Sequence, residues 1–276
     1  MPTTTTTVTH PDGTSVVTRT TAAAAPAPAA PSGGTKPHLI YFEAIGGRGE
    51  PICLVLRLAN VDYEYETFEL ADFGNPDSAY HTRKAAGEFG SFAVSGGGFL
   101  PVYKENGKTY FETNAILRML GARHGFYSTD PDTMWEIDIC MEKTEQVFNH
   151  GVYSAVHYCM ANMGKAAEPP QGDGPTEEQT AACFAMYEEF CNWGEAQLTK
   201  HGKAFLAGTD GPTVADFRYI VQFSDSVYND DPSSVLGAEM QSRVKAMVDT
   251  KPALKKWILE TMAEVLKGAH TPNLMW

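Results

Sequence analysis

The hydrophobic pattern of this chain changes period about half-way along, and that change restricts its possible folds more than any other feature. Residues 38–43 form a buried apolar run, and residues 63–68 alternate with period two, as strands do. After Asp130-Pro131 the strand patterns stop. Helical patterns then follow at about 132–163, 177–200, 213–229, 236–249 and 252–268. Strands in one block and helices in another predict two subdomains, of which the second is all-helical.

The first block also has a definite order of elements. Pro51 suits the first turn of a helix, and Asn106-Gly107 between two strand patterns is the strongest short-range hairpin signal. The expected elements are helices at 50–60, 77–86 and 113–124, and hairpin strands at 100–105 and 108–111. Much of 71–98 is ambiguous. The order strand, helix, strand, helix, hairpin, helix resembles the thioredoxin-like α/β fold.

Residues 1–37 differ in composition from the rest of the chain. They contain 11 Thr, 7 Ala and 6 Pro, and they lack Leu, Ile and aromatic residues. Such a low-complexity tail cannot bury enough apolar surface to offset the entropy lost on ordering. We therefore expect residues 1–37 to be disordered or extended when alone, or ordered on a protein partner. The tail also loosely resembles an organelle transit peptide.

Charge and cysteine content narrow the possible functions. The formal net charge is -13, which gives no electrostatic basis for binding nucleic acid or an anionic membrane. No run of 18 apolar residues predicts a membrane span, and no secretory signal is expected. The five cysteines are odd in number and form no Cys-x-x-Cys pair, which favours a reducing, cytoplasmic location.

Several short motifs occur in the order found in cytosolic glutathione transferases. They are Tyr41-Phe42, Arg48-Gly-Glu50-Pro51, Leu100-Pro101, Glu112-Thr113, Phe205-Leu-Ala-Gly208, Thr213-Val-Ala-Asp216 and Pro252 followed by Leu254. Over roughly residues 38–270 the chain resembles this family, and most of all its sigma and related tyrosine classes. The resemblance implies a thioredoxin-like glutathione-binding domain at 38–124 and an all-helical C-terminal domain at 132–276.

The resemblance also implies how glutathione is held. Thr113 and the free N–H groups of a helix start would bind the γ-glutamyl carboxylate, and Glu112 would contact the γ-glutamyl amine. A cis Leu100-Pro101 bond would expose the Leu100 backbone to the cysteinyl backbone of the tripeptide. Each position also has a purely structural explanation: Thr113 as an ordinary N-cap, and Pro101 as a trans proline that starts an edge strand.

The other implied contacts depend on less specific matches. Tyr80 and Lys84 correspond to the Trp and Lys that hold the glycyl carboxylate in the family, although a lysine is more often simply solvated. Arg48 belongs to the motif that enters the first helix, and it is included among the implied glutathione-binding residues. The acid that would reach across a dimer to the glutathione amine falls at Glu145 or Gln146, and the sequence leaves both open.

Tyr41 is the implied catalytic residue. A thiol with a pKa of about 8.5 is mostly protonated at neutral pH, and its thiolate is the nucleophile. A phenol O–H donated to the sulfur would favour the thiolate; the alternative is that Tyr41 is a core aromatic residue. The chain has one residue more than the family pattern between Tyr41 and Glu50, with Ile45 where the family has an arginine.

Other candidate residues carry weaker signals. Tyr153, Tyr158, Met160 and Met163 could line an apolar pocket for a second substrate, although helical packing explains their spacing equally well. His150, His157 and Cys159 lack a recognised metal spacing, so no metal is expected. Glutathione would be a co-substrate, with no separate cofactor.

Two functions remain open from the sequence. The first is a homodimeric glutathione transferase that conjugates glutathione to an electrophile, or catalyses a related isomerisation or peroxide reduction. The second is a non-catalytic structural or interaction subunit with the same fold, whose tail binds a large assembly. The first is the main prediction, and the lengthened segment after Tyr41 and the tail at residues 1–37 motivate the second as the alternative.

Overall fold

The computed structural model describes residues 3–9, 15–21, 36–42, 47–95, 97–147, 176–224, 238–267 and 269. The chain divides into two compact units, Met1–Gly33 and Gly34–Trp276.

The first unit contains two strands, β1 (Thr3–Thr9) and β2 (Ser15–Thr21), which pair antiparallel with Thr3 opposite Thr21. Extended backbone was one of the two states expected for this segment, but strand pairing was not. Threonine and valine are β-branched and favour extended backbone. The sequence between the strands contains Asp12-Gly13, a pair typical of hairpins.

The second unit begins with the predicted mixed sheet, whose strand order is β4-β3-β5-β6. Strand β3 runs parallel to β4 and antiparallel to β5, which pairs with β6 in turn. The elements are β3 (His38–Phe42), α1 (Glu50–Leu58), β4 (Glu64–Phe68), a 3₁₀ turn (Leu70–Gly74), α2 (Ala79–Ala85), α3 (Phe92–Ser95), β5 (Val102–Glu105), β6 (Lys108–Tyr110) and α4 (Thr113–His124).

The two faces of this sheet are buried in different clusters, as the two-residue repeat of a strand requires. Leu39 and its cross-strand partner Tyr103 join the large core formed with α1, α4 and the helical half. Ile40 and its partner Val102 face a smaller, mainly aromatic cluster that includes Phe89. At the end of the hairpin, Asn106 and Gly107 both have positive φ, so the predicted type I′ chemistry is confirmed.

Helices make up the rest of the described chain, again as predicted. They are α5 (Pro131–Val147), α6 (Glu177–His201), α7 (Val214–Ser224), α8 (Ala238–Asp249), α9 (Pro252–Lys256), a π-helical turn (Trp257–Met262) and α10 (Ala263–Val265). The predicted helix at 252–268 is thus interrupted by a π turn. The predicted helical ends at 148–163 and 225–229 lie outside the described residues.

Helix α7 occupies the centre of this unit, where it packs on α1, α4 and α5. Its aromatic side chains are fully buried, and the Tyr219 hydroxyl donates a hydrogen bond to the Phe190 carbonyl at 2.6 Å. Gly194 of α6 lies so close to the Tyr219 ring that a β-carbon there would clash with it. Because α7 contacts elements of both halves, its residues can reach the seam between the sheet and the helices.

The start of α7 is capped by Asp216, in the Thr-x-x-Asp pattern typical of helix starts. The Asp216 carboxylate accepts hydrogen bonds from the Thr213 and Leu206 N–H groups at 2.8 and 3.0 Å. The Thr213 hydroxyl also donates to Asp216, at 2.9 Å. Burial raises the pKa of the Asp216 carboxyl to about 6, although these hydrogen bonds oppose the rise.

None of the helices in the described ranges is both long enough and apolar enough to cross a bilayer. The subdomain boundaries at 38–124 and 132–276 remain predictions, because the chain divides into compact units only at Gly33.

Candidate active site

Thr113 is the first residue of α4, and its hydroxyl has an unusual environment. The residue is 5% exposed, and its Oγ1 atom is buried without a hydrogen-bond partner among the described residues. The preceding residue, Glu112, has φ 67° and ψ 110°, in a region that non-glycine residues rarely adopt. A buried polar atom without a partner costs free energy. The buried Thr113 hydroxyl is therefore an uncompensated polar group at the start of α4.

The Leu100–Pro101 bond lies directly before β5 and is cis, as the resemblance predicted. Leu100 is buried in the same aromatic cluster as Tyr41. Strand β5 pairs with β3, which ends at Phe42. The turn at Pro101 and the tyrosine at the end of β3 are thus carried by neighbouring strands.

Tyr41 lies near the end of β3, beneath the turn that enters α1. The Arg48 backbone N–H donates a hydrogen bond to the Tyr41 hydroxyl oxygen at 3.0 Å. The turn passes very close to the ring: a β-carbon at Gly47 would lie 2.6 Å from Tyr41 Oη, and one at Gly49 would lie 2.5 Å from Tyr41 Cγ. Glycine at both positions is therefore required for this approach.

Three charged residues meet next to this turn. Glu145 of α5 accepts hydrogen bonds from Arg48 through Oε1, with Arg48 Nε at 3.2 Å and Nη2 also bonded. Its other oxygen, Oε2, accepts from Arg218 Nη2 at 2.6 Å. Arg218 of α7 is fully buried, and its Nη1 donates to the Gly47 carbonyl at 3.3 Å. One carboxylate therefore joins two guanidinium groups at the seam between the sheet half and the helical half.

The electrostatics of this cluster favour an anion beside it. Burial alone would raise the pKa of the Glu145 carboxyl, but hydrogen bonds from Arg48 and the nearby charge of Arg218 outweigh burial and lower that pKa. Glu145 is consequently ionised at neutral pH, and arginine stays protonated in proteins. Two positive charges and one negative charge leave the cluster with a net charge of +1.

Comparison with known proteins connects this geometry to a fold. A glutathione S-transferase from the hookworm Necator americanus, described as monomeric, superimposes with a TM-score of 0.52 at 22% identity, covering 81% of this chain and 96% of its own. The Ascaris lumbricoides glutathione S-transferase gives 0.53 at 19% identity, covering 82% and 97%. Poplar glutathione transferase F1 gives 0.57 at 17% identity, covering 84% and 97%. The chain has the glutathione transferase fold.

Sequence comparison adds nothing to this result, because no protein-family profile and no curated protein matches the chain. The structural neighbours include hookworm, roundworm and poplar proteins. They therefore support the glutathione transferase fold without specifying the sigma-like class.

Tyr80 and Lys84, the residues predicted to hold the glycyl carboxylate, lie in different surroundings. Tyr80 is 1% exposed and packs among Phe42, Phe68 and Phe89. Lys84 is half-buried, and its Nζ lies 4.1 Å from the centre of the Phe99 ring. Contact of both residues with the glycyl carboxylate stays a prediction, and the burial of Tyr80 makes it the weaker candidate.

The structure also gives the surroundings of Arg48, Glu145 and Glu112. The Arg48 side chain pairs with Glu145, and its backbone N–H donates to the Tyr41 hydroxyl, so its contact with glutathione stays a prediction. Glu145 is paired with two arginines of its own chain, whereas Gln146 is exposed and accepts a hydrogen bond from Lys143. Glu112 is exposed beside Thr113, where it could meet an amine.

Arg218 is the site residue that the sequence analysis missed. An arginine between Phe217 and Tyr219, in a helix with few other charged residues, could have been noticed as a buried charge in need of a partner. The proposed second-substrate residues Tyr153, Tyr158, Met160 and Met163, and the rejected metal candidates His150, His157 and Cys159, lie outside the described residues. Within the described part of the chain, no group of His, Cys, Asp and Glu could hold a metal ion.

Proposed function

We propose that this protein binds glutathione at the start of α4 and the turn before β5, and conjugates its thiolate to an electrophile. The observation that carries the proposal is the buried Thr113 hydroxyl, which has no hydrogen-bond partner among the described residues. A helix N-terminus with such a hydroxyl suits a carboxylate, because the unpaired N–H groups and the helix dipole both favour negative charge.

The remaining contacts follow from the neighbouring elements. Leu100, held before β5 by the cis bond to Pro101, would pair its backbone with the cysteinyl residue of the tripeptide. Glu112 would receive the γ-glutamyl amine, and Lys84 the glycyl carboxylate. Glutathione is then held at both ends and in the middle, which fixes the position of its sulfur.

Tyr41 would supply the chemistry. A hydrogen bond from its O–H to the sulfur stabilises the thiolate by about 1.5–3 kcal/mol, or roughly one to two pKa units. The N-terminus of α1 and the net positive cluster of Arg48, Glu145 and Arg218 add to the field that favours an anion. The same thiolate would serve glutathione-dependent isomerisation or peroxide reduction. A cytoplasmic homodimer is part of the proposal.

Two threonines offer a direct test of the glutathione site. Thr113 and Thr213 are both 5% exposed at a helix start, but only the Thr213 hydroxyl has a partner, Asp216. We expect Thr113→Val to lower glutathione affinity about tenfold or more, with little change in thermal stability. We expect Thr213→Val to lower stability and leave glutathione affinity unchanged. Titration calorimetry with glutathione and thermal unfolding of the full chain provide the two measurements.

The result also separates the two functions left open by the sequence. Wild-type protein that does not bind glutathione at millimolar concentration would leave the structural or interaction role as the better explanation. Binding that survives unchanged in Thr113→Val would show that the ligand lies elsewhere.

A further inference from the structure

One peptide group connects the buried arginine of α7 to the tyrosine of β3. The Gly47 carbonyl accepts from Arg218 Nη1 at 3.3 Å, and the Arg48 N–H donates to Tyr41 Oη at 3.0 Å. The carbonyl and the N–H belong to the same peptide bond. A cation therefore contacts the oxygen end of a peptide dipole whose N–H end contacts the phenol.

Hydrogen bonds in such a chain polarise one another, and the effect is larger where water is excluded. The guanidinium draws electron density towards the Gly47 oxygen, so the Arg48 N–H becomes more positive and binds the phenol oxygen more strongly. A phenol oxygen that accepts a stronger hydrogen bond gives up its proton more readily. Arg218 is fully buried, so solvent does not screen its charge.

We propose that Arg218 is a positioning residue for Tyr41, which acts through the Gly47–Arg48 peptide to make the Tyr41 O–H a stronger donor towards a bound thiol. The inference rests on the role proposed above for Tyr41.

Other charged and titratable groups lie on the elements around Tyr41. Arg48 lies on the turn, Glu50 begins α1, Tyr65 lies on β4 and Glu145 lies on α5. Glu145 is shared by both arginines, so the loss of Arg218 still leaves it paired with Arg48. A neutral replacement at Arg218 therefore removes one positive charge and one hydrogen bond to the peptide without leaving the carboxylate alone.

The test follows the ionisation of Tyr41 itself. Tyrosine labelled with ¹³C at the ring ζ carbon reports each phenol by NMR, and Tyr41→Phe identifies the Tyr41 signal among the 12 tyrosines. We expect Arg218→Met to raise the Tyr41 pKa by about half to one unit. Arg118→Met is the matched control. Arg118 likewise pairs with two carboxylates of α5, Asp138 and Glu142, and neither of these pairs involves the turn. It should leave the Tyr41 pKa unchanged.

A second measurement needs no variant and covers the case in which Arg218→Met does not fold. In the wild-type protein, the Gly47 carbonyl carbon and the Arg48 amide nitrogen should shift with the same pH midpoint as the Tyr41 ring carbon. An unmoved Tyr41 pKa in folded Arg218→Met would overturn the proposal, as would an equal shift in Arg118→Met or the absence of co-titration in the wild type.

Neither measurement uses conjugation activity. If the protein forms no glutathione conjugate but the Tyr41 pKa responds to Arg218, the positioning role stands and the proposed activity fails. If conjugation occurs but the Tyr41 pKa ignores Arg218, the activity stands and this inference fails.

Discussion

Tyr41 combines two features that matter for the proposed chemistry. Its ring is restrained by the close approach of Gly47 and Gly49, and its oxygen accepts a backbone hydrogen bond. A phenol restrained in this way loses little freedom when a substrate arrives, so its hydrogen bond to the sulfur costs little reorganisation.

Replacing Tyr41 by Phe removes the hydroxyl and keeps the ring. We expect turnover of a standard electrophile with glutathione to fall about 10- to 100-fold, the value of one charge-assisted hydrogen bond, while glutathione affinity changes less than about threefold. Steady-state kinetics and calorimetry measure the two quantities. Tyr65→Phe, another tyrosine of the same sheet, should keep wild-type turnover. Turnover and affinity that fall together, or no fall at all, would contradict the assigned role.

The sequence indicates some site residues much better than others. The helix start at Thr113 follows from a local motif. The cis bond before Pro101 was implied only by the resemblance to glutathione transferases, because the local sequence is equally compatible with a trans proline that starts an edge strand. The contact of Arg218 with Gly47 joins positions 171 residues apart, and its pair with Glu145 joins positions 73 apart. Tertiary packing alone decides such pairs. Tertiary packing also decides the surroundings of Tyr80. Its helical spacing from Lys84 does not reveal the aromatic cluster that encloses it.

Among the elements, α7 depends most clearly on a single side chain. Asp216 binds its own helix start and also the Leu206 N–H, so it fixes both the entry to α7 and the preceding segment. Loss of a helix cap typically costs about 1 kcal/mol, and loss of a buried acceptor for three donors costs more.

Asp216 also makes stability depend on pH. Its pKa is raised to about 6 in the folded protein from an ordinary 3.8, so the fold favours the protonated form. The associated stability is fully present below the unfolded pKa and is lost as pH rises through about 6. Asp216→Asn should therefore be destabilised most near pH 4, and its deficit should shrink by at most about 3 kcal/mol towards pH 7. Urea unfolding at both pH values tests this; a deficit that grows with pH would refute it.

Elements are predictable where their signal is local. The hairpin at Asn106-Gly107 and the helix Thr113–His124 agree closely with the sequence prediction, because a turn pair marks the first and Gly125, with positive φ, ends the second. Thr113 is the first residue of this helix and Glu112 is its N-cap, so the N-cap role considered for Thr113 is wrong. In the ambiguous region 71–98 the helix expected at 77–86 is present as Ala79–Ala85, whereas the 3₁₀ turn and the helix Phe92–Ser95 were not predicted. Short helices are stabilised mainly by tertiary contacts, so periodicity reveals little about them.

In the second unit as a whole, the sheet half and the helical half meet through α7 and through Glu145. Arg48 precedes α1, Glu145 lies on α5 and Arg218 lies on α7, so one carboxylate connects three elements. Such a buried group is costly to remove, because its partners keep their charges.

Replacing Glu145 by Gln tests how far this connection stabilises the unit. Two arginines would lose their shared carboxylate, and we expect the free energy of unfolding to fall by about 3 kcal/mol. Glu142→Gln is the control, since Glu142 lies on the same helix and its more exposed pair with Arg118 should contribute less than about 1 kcal/mol. Urea unfolding compares both with the wild type; equal effects of the two variants would mean that the seam does not depend on Glu145.

The division of the chain into a sheet block and a helical block was predictable because periodicity is a property of long segments. The paired strands β1 and β2 were not predicted, because composition indicates how much apolar surface a segment can bury but not which backbone groups pair. The connection between the halves was also not predictable, since it depends on which side chains of α5 and α7 reach the turn after β3.

The turn over Tyr41 has a consequence for how this sequence can diverge. Gly47 and Gly49 cannot acquire a β-carbon unless the aromatic ring beneath them moves, whereas the side chain of Arg48 between them extends away towards α5. Substitution of Gly47 or Gly49 is therefore not tolerated while the ring of Tyr41 stays in place. The side chain of Arg48 is less constrained, because Glu145 keeps Arg218 as a partner if Arg48 changes. Lineages that retain the tyrosine should therefore carry the two glycines as an inseparable signature.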